Sequence, residues 1–134
     1  MSSDAPCPFC APAAERVFLD MDLVLGMWDA YPVSEGHGLL VTRRHVASWF
    51  DATAEERRAL ADATVAARGI VEARFGPADW NLGVNVGRAA GQTVPHLHLH
   101  VIPRRPGDVP DPRGGVRHVI ASKGNYLPDG EPTA

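Results

Sequence analysis

Histidines occupy every second position of the segment Pro95-His96-Leu97-His98-Leu99-His100-Val101-Ile102. Side chains of a β-strand alternate between its two faces, so the pattern predicts a strand with three imidazoles on one face and apolar residues on the other. Successive residues of one face lie roughly 7 Å apart along a strand. Because metal–nitrogen bonds are about 2 Å long, the three imidazoles cannot all bind one ion. The row suits a phosphate chain lying across it better than a single metal.

Length and composition indicate one globular domain. The chain has 134 residues, 45% of them hydrophobic and 22% charged, which is enough to bury a core. The formal net charge of −3 gives no electrostatic basis for non-specific nucleic-acid binding. A phosphate-bearing ligand must therefore be held by local groups.

The sequence also bears on the compartment. No apolar run approaches the roughly 20 residues of a membrane-spanning helix, and the first six residues lack the features of a signal peptide. We therefore expect no membrane association and a cytoplasmic location. In that reducing environment Cys7 and Cys10 are expected to be thiols or metal ligands rather than a disulfide.

The pattern of apolar residues predicts an α+β fold. Strands are predicted over 17–20, 22–28, 38–42, 80–86 and the histidine segment, which Pro103 is expected to end. Thr53 and Glu56 form a capping box at the start of a helix whose apolar stripe runs from Leu60 to Phe75. We expect an antiparallel sheet of about five strands with this one main helix packed on one face.

One domain is predicted over residues 1–134, with a core of about 7–106 and an extended tail over 107–134. Residues 80–86 and the histidine strand are expected to pair as an antiparallel hairpin. The tail is rich in proline, glycine and arginine and contains one further possible strand, Val116 to Ile120. His118 is interpreted as a surface residue.

Three segments resemble the histidine triad (HIT) family. Gly91 to Pro103 resembles its signature, His-φ-His-φ-His-φ-φ with φ apolar. Gly36 to Val46 is similar to the family's second strand region, and Asn81 to Gly87 to its penultimate strand. The likeness covers about residues 7–106, and so long a signature makes a chance alternation of solvent-exposed histidines a poor explanation.

The resemblance implies that His98 is a nucleophile. In such proteins the middle histidine attacks the α-phosphorus of a nucleotide and forms a nucleotidyl-imidazole intermediate that water cleaves. A neutral imidazole suits this chemistry near pH 7, and the labile intermediate divides one difficult step into two easier ones. The nitrogen that attacks depends on what holds the other one, for which a nearby backbone carbonyl is the expected partner.

The resemblance also assigns roles around the nucleophile. His37 and His100 are expected to stabilise charge on the phosphate oxygens, and His96 completes the catalytic set. The remaining predicted contacts are Thr93 at the leaving atom, Gln92 at the phosphate, and Asp29 and Asn85 at the nucleotide, with Asp29 at the ribose. Asp29 could instead be a simple turn residue, and Asn85 could be a strand-end amide bonded to the backbone.

Cys7 and Cys10 form a Cys-x-x-Cys pair, which alone is a weak signal. A tetrahedral zinc would need two histidines in addition, because the chain has no further cysteine. His45 and His96 could supply them, and the pattern resembles bacterial members of the family in which these four positions bind zinc. A redox pair is the weaker alternative, because no thioredoxin-like arrangement surrounds the cysteines.

The leading hypothesis is a hydrolase that acts on a dinucleoside polyphosphate or a nucleoside phosphoramidate. Two alternatives stay open: transfer of the same intermediate to another acceptor, as in a nucleotidyltransferase or phosphorylase, and a regulatory module that only binds a purine nucleotide. The resemblance implies a structural zinc, no metal requirement for catalysis, and a homodimer.

Overall fold

The computed structural model describes residues 6–127, and within them five strands form one antiparallel sheet. The strands are β1 (Val17–Asp20), β2 (Val24–Trp28), β3 (Gly38–Thr42), β4 (Asp79–Val84) and β5 (His98–Arg104), in the spatial order β1-β2-β3-β5-β4. One α-helix, α1 (Ala54–Phe75), is present in this part of the chain. The predicted α+β class is confirmed, as is the hairpin of β4 with β5.

The helix α1 begins at the predicted capping box. Thr53 Oγ1 accepts a hydrogen bond from the Glu56 backbone N–H at 3.0 Å, and Glu56 Oε1 accepts one from the Thr53 N–H at 2.9 Å. The buried residues Leu60, Ala63, Ala67 and Val71 then form the stripe that packs on the sheet. No helix within residues 6–127 is long and apolar enough to cross a membrane.

The helix covers only one face of the sheet, and this decides where the histidines lie. Leu99 and Val101 of β5 belong to the core cluster under α1. Because strand side chains alternate, His98 and His100 lie on the opposite face, where β5 pairs with β3. A smaller cluster around Phe9 and Met27 covers part of that face.

Two predictions about the histidine strand are wrong. β5 starts at His98, so His96 lies in the preceding loop and the row on the strand has two imidazoles rather than three. Pro103 does not end the strand, which continues to Arg104. The Pro103 carbonyl accepts a hydrogen bond from Ser34 Oγ on the side of β5 where β3 no longer pairs. The nitrogen of Pro103 faces the same side of the strand, so its missing hydrogen interrupts no bond between strands.

The predicted strand Val116 to Ile120 is also wrong. The chain forms a 3₁₀-helix over Gly115–Val119 because Gly114 and Gly115, at φ 98° and 49°, reverse its direction. The part of the predicted tail up to residue 127 folds back on itself and is not extended, because Asn125 Nδ2 donates to Asp111 Oδ2 at 2.8 Å. His118 is exposed as predicted. Residues 128–134 of the predicted tail lie outside the described residues.

Candidate active site and metal centre

A cleft of about 350 Å³ opens on the helix-free face of the sheet. Five of the predicted site residues line it together: Asp29, Asn85, Thr93, His98 and His100. They come from the end of β2, the segment after β4, the loop before β5, and β5 itself. The fold thus gathers residues that are 71 positions apart in the sequence, from 29 to 100, into one concave site.

The His98 imidazole has one nitrogen held and one free. Its Nδ1 lies 2.7 Å from the carbonyl oxygen of His96. A carbonyl only accepts, so Nδ1 carries the hydrogen and Nε2 of the neutral ring keeps its lone pair. The Phe9 ring contacts the imidazole edge-on, with 4.9 Å between the ring centroids. This is the carbonyl partner expected from the sequence, and it makes Nε2 the nitrogen that can react.

His37 and His100 form a directed hydrogen-bond network behind the cleft. The Val33 N–H donates to His37 Nδ1 at 3.1 Å, so the hydrogen of the neutral His37 ring is on Nε2. That Nε2 lies 3.0 Å from His100 Nδ1 and 3.3 Å from Asp29 Oδ2. His100 Nδ1 therefore accepts, and its Nε2 carries the remaining hydrogen as a donor.

Burial keeps both flanking histidines neutral. Burial, together with the neighbouring His98 and His37, lowers the pKa of His100 to about 4. Burial also lowers the pKa of His37, although the Asp29 carboxylate opposes this shift. Near pH 7 the two rings are thus hydrogen-bond donors without a full positive charge.

Glycine at position 36 allows His37 to reach this position. Gly36 has φ 91°, and a Cβ built there would lie 2.7 Å from Cγ1 of Val71 on α1. The loop before β3 therefore passes so close to the helix that only glycine fits. This close approach sets the buried position of His37 beside His100.

The side chain of Gln92 supports the loop before β5. Its Nε2 donates to the carbonyls of Ala47 and Val94, at 2.8 and 3.0 Å, and its Oε1 accepts from the Gly87 N–H at 2.9 Å. The side chain is buried and does not line the cleft. The predicted phosphate contact by Gln92 is not supported, because its amide is already bonded to the backbone.

Four predicted metal ligands converge on the N-terminal side of the cleft. One ligand atom from each of Cys7, Cys10, His45 and His96 lies within 4.8 Å of all the others. Cys7 Sγ is 3.3 Å from His96 Nδ1, and Cys10 Sγ is 3.1 Å from His45 Nδ1 and 3.6 Å from His96 Nδ1. Ligands of a tetrahedral zinc stand about 3.3–3.8 Å apart, given bonds of about 2.0–2.3 Å. The four residues fit a zinc ion.

The His96 ring has the tautomer that a metal ligand needs. Its Nε2 lies 2.6 Å from the Thr42 carbonyl, to which it donates, so the lone pair of Nδ1 points toward the two sulfur atoms. Asp29, His37 and His100 also lie within 4.8 Å of one another. There, however, the hydrogen on His37 Nε2 occupies the position that a metal would need, so this second group is a hydrogen-bond network.

Several residues of the cleft wall are absent from the sequence-based prediction, and those with an aromatic or charged side chain are Phe9, Arg16 and Tyr31. Phe9 lies between the two cysteines and contacts His98, so the metal cluster and the cleft share a wall. Its position between two predicted ligands could have indicated this. Nothing local in the sequence singles out Arg16 or Tyr31. Arg16 reaches the cleft through the pairing of β1 with β2, and Tyr31 follows the end of β2.

The α+β fold carries a histidine network beside a cysteine–histidine cluster. Comparison with known protein families identifies the class of protein that has this arrangement. The family model of the HIT domain matches residues 12–107 of this chain. The chain therefore belongs to the histidine triad (HIT) family, as the sequence motifs predicted.

Solved and curated relatives agree with this. A zinc-bound histidine triad family protein from Mycobacterium smegmatis superposes with a TM-score of 0.68 at 32% identity, covering 87% of this chain and 91% of the other. The asymmetrical bis(5'-nucleosyl)-tetraphosphatase of Schizosaccharomyces pombe is 33% identical over 97 residues, 72% of this chain, which spans 53% of that protein. The adenosine 5'-monophosphoramidase of the same organism is 32% identical over 104 residues, 78% of this chain and 69% of that protein.

The low pKa of His100 predicts that acid destabilises the fold. His100 has a pKa of about 4 when folded, against 6.5 for an unperturbed histidine, so between these pH values the unfolded chain binds the extra proton. Stability should therefore fall as the pH drops below about 6.5. When the free energy of unfolding in urea is compared at pH 7 and pH 5, His100→Gln should lose about 2 kcal/mol less than the wild type. Equal losses in both proteins would contradict the assignment.

Proposed function

We propose that the protein is a nucleotide hydrolase in which Nε2 of His98 attacks the α-phosphorus of a dinucleoside polyphosphate or a nucleoside phosphoramidate. The observation that carries this proposal is the geometry of His98. Its Nδ1–H is held by the His96 carbonyl at 2.7 Å, and its other nitrogen is left for a phosphorus atom in the cleft. The named activities of the tetraphosphatase and the phosphoramidase support the same substrate class.

In the first step the bond from Nε2 to phosphorus forms as the bond to the leaving group breaks. The positive charge that develops on the ring is stabilised by the Nδ1–H bond to the His96 carbonyl. His100 Nε2–H donates to a non-bridging phosphate oxygen. The Thr93 hydroxyl, which lines the cleft, donates to the departing oxygen or nitrogen.

In the second step water attacks the same phosphorus and the bond to Nε2 breaks. The products are a nucleoside monophosphate and neutral His98, with the proton of water passing to solvent. Since His98 is itself the nucleophile, this route does not call for a metal at the reacting phosphate. Inorganic phosphate in place of water would make the reaction a phosphorolysis, and a cleft that binds without turnover would make the protein a regulatory module.

Asp29 and Asn85 are proposed to hold the nucleoside. Asp29 Oδ1 accepts from the Tyr31 N–H at 2.7 Å, so the residue does shape the turn, but a carboxylate has further lone pairs for a ribose hydroxyl. Asn85 lines the same cleft. The carboxylate thus serves both the turn and the ligand.

Replacing the nucleophile tests the proposal. His98→Ala should lower the rate of hydrolysis of diadenosine tetraphosphate and of an adenosine phosphoramidate by roughly 10⁴-fold or more. His118→Ala is the matched control, because His118 is exposed and lies outside the cleft. Product analysis with and without phosphate assigns the acceptor. Full activity of the His98→Ala protein would refute the mechanism.

We also propose that Cys7, Cys10, His45 and His96 bind a structural zinc that ties the N-terminal segment to the loop before β5. Bound zinc would supply a rigid cross-link rather than chemistry at the phosphate. Protein purified without chelator should contain about one equivalent of zinc, and Cys7→Ser should contain less than about a tenth and unfold at a lower temperature. A wild-type zinc content below about a tenth would rule the site out.

A homodimer and a cytoplasmic location complete the proposal. β4 is an edge strand on which Leu82 is 47% exposed, and Val65 of α1 is 74% exposed, so both elements offer apolar surface to a second copy. Two thiols held as metal ligands suit a reducing compartment. Light scattering should give twice the mass of one chain; a monomer at micromolar concentration would contradict the dimer.

A further inference from the structure

We propose that Arg16 is a further nucleotide-binding residue, whose free guanidinium nitrogen donates to a ribose hydroxyl that Asp29 binds as acceptor. This inference rests on the proposed function, because it assumes that a ribonucleotide occupies the cleft. It adds to the site a residue that the sequence motifs do not mark. Its chemistry selects ribonucleotides over deoxynucleotides.

Arg16 is held in the wall of the cleft with one side of its guanidinium unused. It ends the short 3₁₀-helix Ala14–Arg16 that joins the cysteine pair to β1. Its Nε and Nη2 both bond to the carbonyl oxygen of Trp28, at 3.2 and 2.8 Å. These two bonds fix the plane of the group. Its Nη1 has no hydrogen-bond partner among residues 6–127, so two donors are available.

Arg16 is also the permanent cation of the site. Among the described residues that line the cleft, it is the one arginine or lysine. It forms no ion pair within residues 6–127, whereas Arg44 and Arg104 are paired with Glu56 and Asp108. A partly buried guanidinium that is fixed by a carbonyl but lacks a carboxylate suits a ligand that brings its own acceptor atoms.

The sheet places Arg16 at the nucleoside end of the ligand. The Trp28 carbonyl belongs to β2 and His98 to β5, with β3 between them. Two inter-strand spacings separate the backbone positions of Trp28 and His98 by roughly 10 Å, so the guanidinium held by the Trp28 carbonyl lies to one side of His98. Asp29 directly follows Trp28, so Arg16 and Asp29 lie at the same end of the cleft.

A ribose hydroxyl matches this pair chemically. A hydroxyl can donate to a carboxylate oxygen and accept from a guanidinium N–H at the same time. Hydrogen bonds to charged groups are worth more than neutral ones, because the charge strengthens them. The pair therefore distinguishes a sugar that carries the hydroxyl from one that lacks it.

Calorimetric titration with AMP, 2'-deoxy-AMP and 3'-deoxy-AMP tests the proposal. Arg16→Ala should weaken AMP binding roughly tenfold or more. In the wild type, the deoxynucleotide that lacks the bound hydroxyl should bind more weakly than AMP by a similar factor. In Arg16→Ala this ratio of the two affinities should fall toward one, because the guanidinium and the hydroxyl are coupled. Arg16→Lys should lie between, since an ammonium cannot hold the carbonyl and the ribose in one plane. Arg58→Ala, on the exposed side of α1, is the matched control.

The opposite outcomes are distinct. If Arg16→Ala weakens AMP but leaves adenosine unaffected, the guanidinium acts on the phosphate and the proposal is wrong. The proposal is also wrong if the affinity that each deoxynucleotide loses relative to AMP is the same in the wild type and in Arg16→Ala. Binding requires no turnover, so a wild-type protein that binds AMP without hydrolysing any substrate would overturn the proposed function alone. A wild-type protein that binds no AMP would overturn both.

Discussion

The hydrogen bond from His98 Nδ1 to the carbonyl of His96 is the interaction on which the site depends. At 2.7 Å it decides which imidazole nitrogen keeps a lone pair and in which direction that lone pair points. The same residue, His96, presents its own ring to the two cysteines. One residue therefore contacts His98 through its backbone and the two cysteines through its side chain.

This double use links the stability of the N-terminal segment to the shape of the cleft. Phe9 lies between the cysteines and packs edge-on against both His96 and His98, with ring centroids 6.1 and 4.9 Å away. An ion held by the four metal ligands would fix this aromatic wall as well as the chain. The main core cluster lies under α1 on the other face of the sheet, so such an ion would add rigidity on the face where only the smaller cluster around Phe9 and Met27 is buried.

The two histidines that flank the His98 side of the cleft are neutral donors. Burial keeps His37 and His100 uncharged near pH 7, and they act as oriented donors. Preorganised neutral donors need no counter-ion in the empty protein, yet they strengthen when negative charge develops in front of them. Arg16 adds a permanent positive charge to the wall of the cleft beside β2.

Local patterns in the sequence determined the elements and the identity of most of the site. Alternation predicted β5, the capping box predicted the start of α1, and the family signature marked His37, His98 and His100. These signals are local because backbone geometry repeats every two residues in a strand and about every 3.6 in a helix. The strand predicted over Val116 to Ile120 was wrong because the positive φ angles of the adjacent Gly114 and Gly115 reverse the chain, and apolar alternation alone does not reveal this.

Only the tertiary structure decided how the histidines divide and what surrounds them. His96 leaves the row because β5 begins at His98 and the Thr42 carbonyl of β3 holds its ring. The Gln92 amide is bonded to the Ala47 carbonyl, and the Trp28 carbonyl fixes Arg16 in the wall of the cleft. Each outcome depends on hydrogen bonds between residues that are distant in sequence. A sequence pattern shows which residues can make such bonds, but the partner of each is decided only when the chain folds.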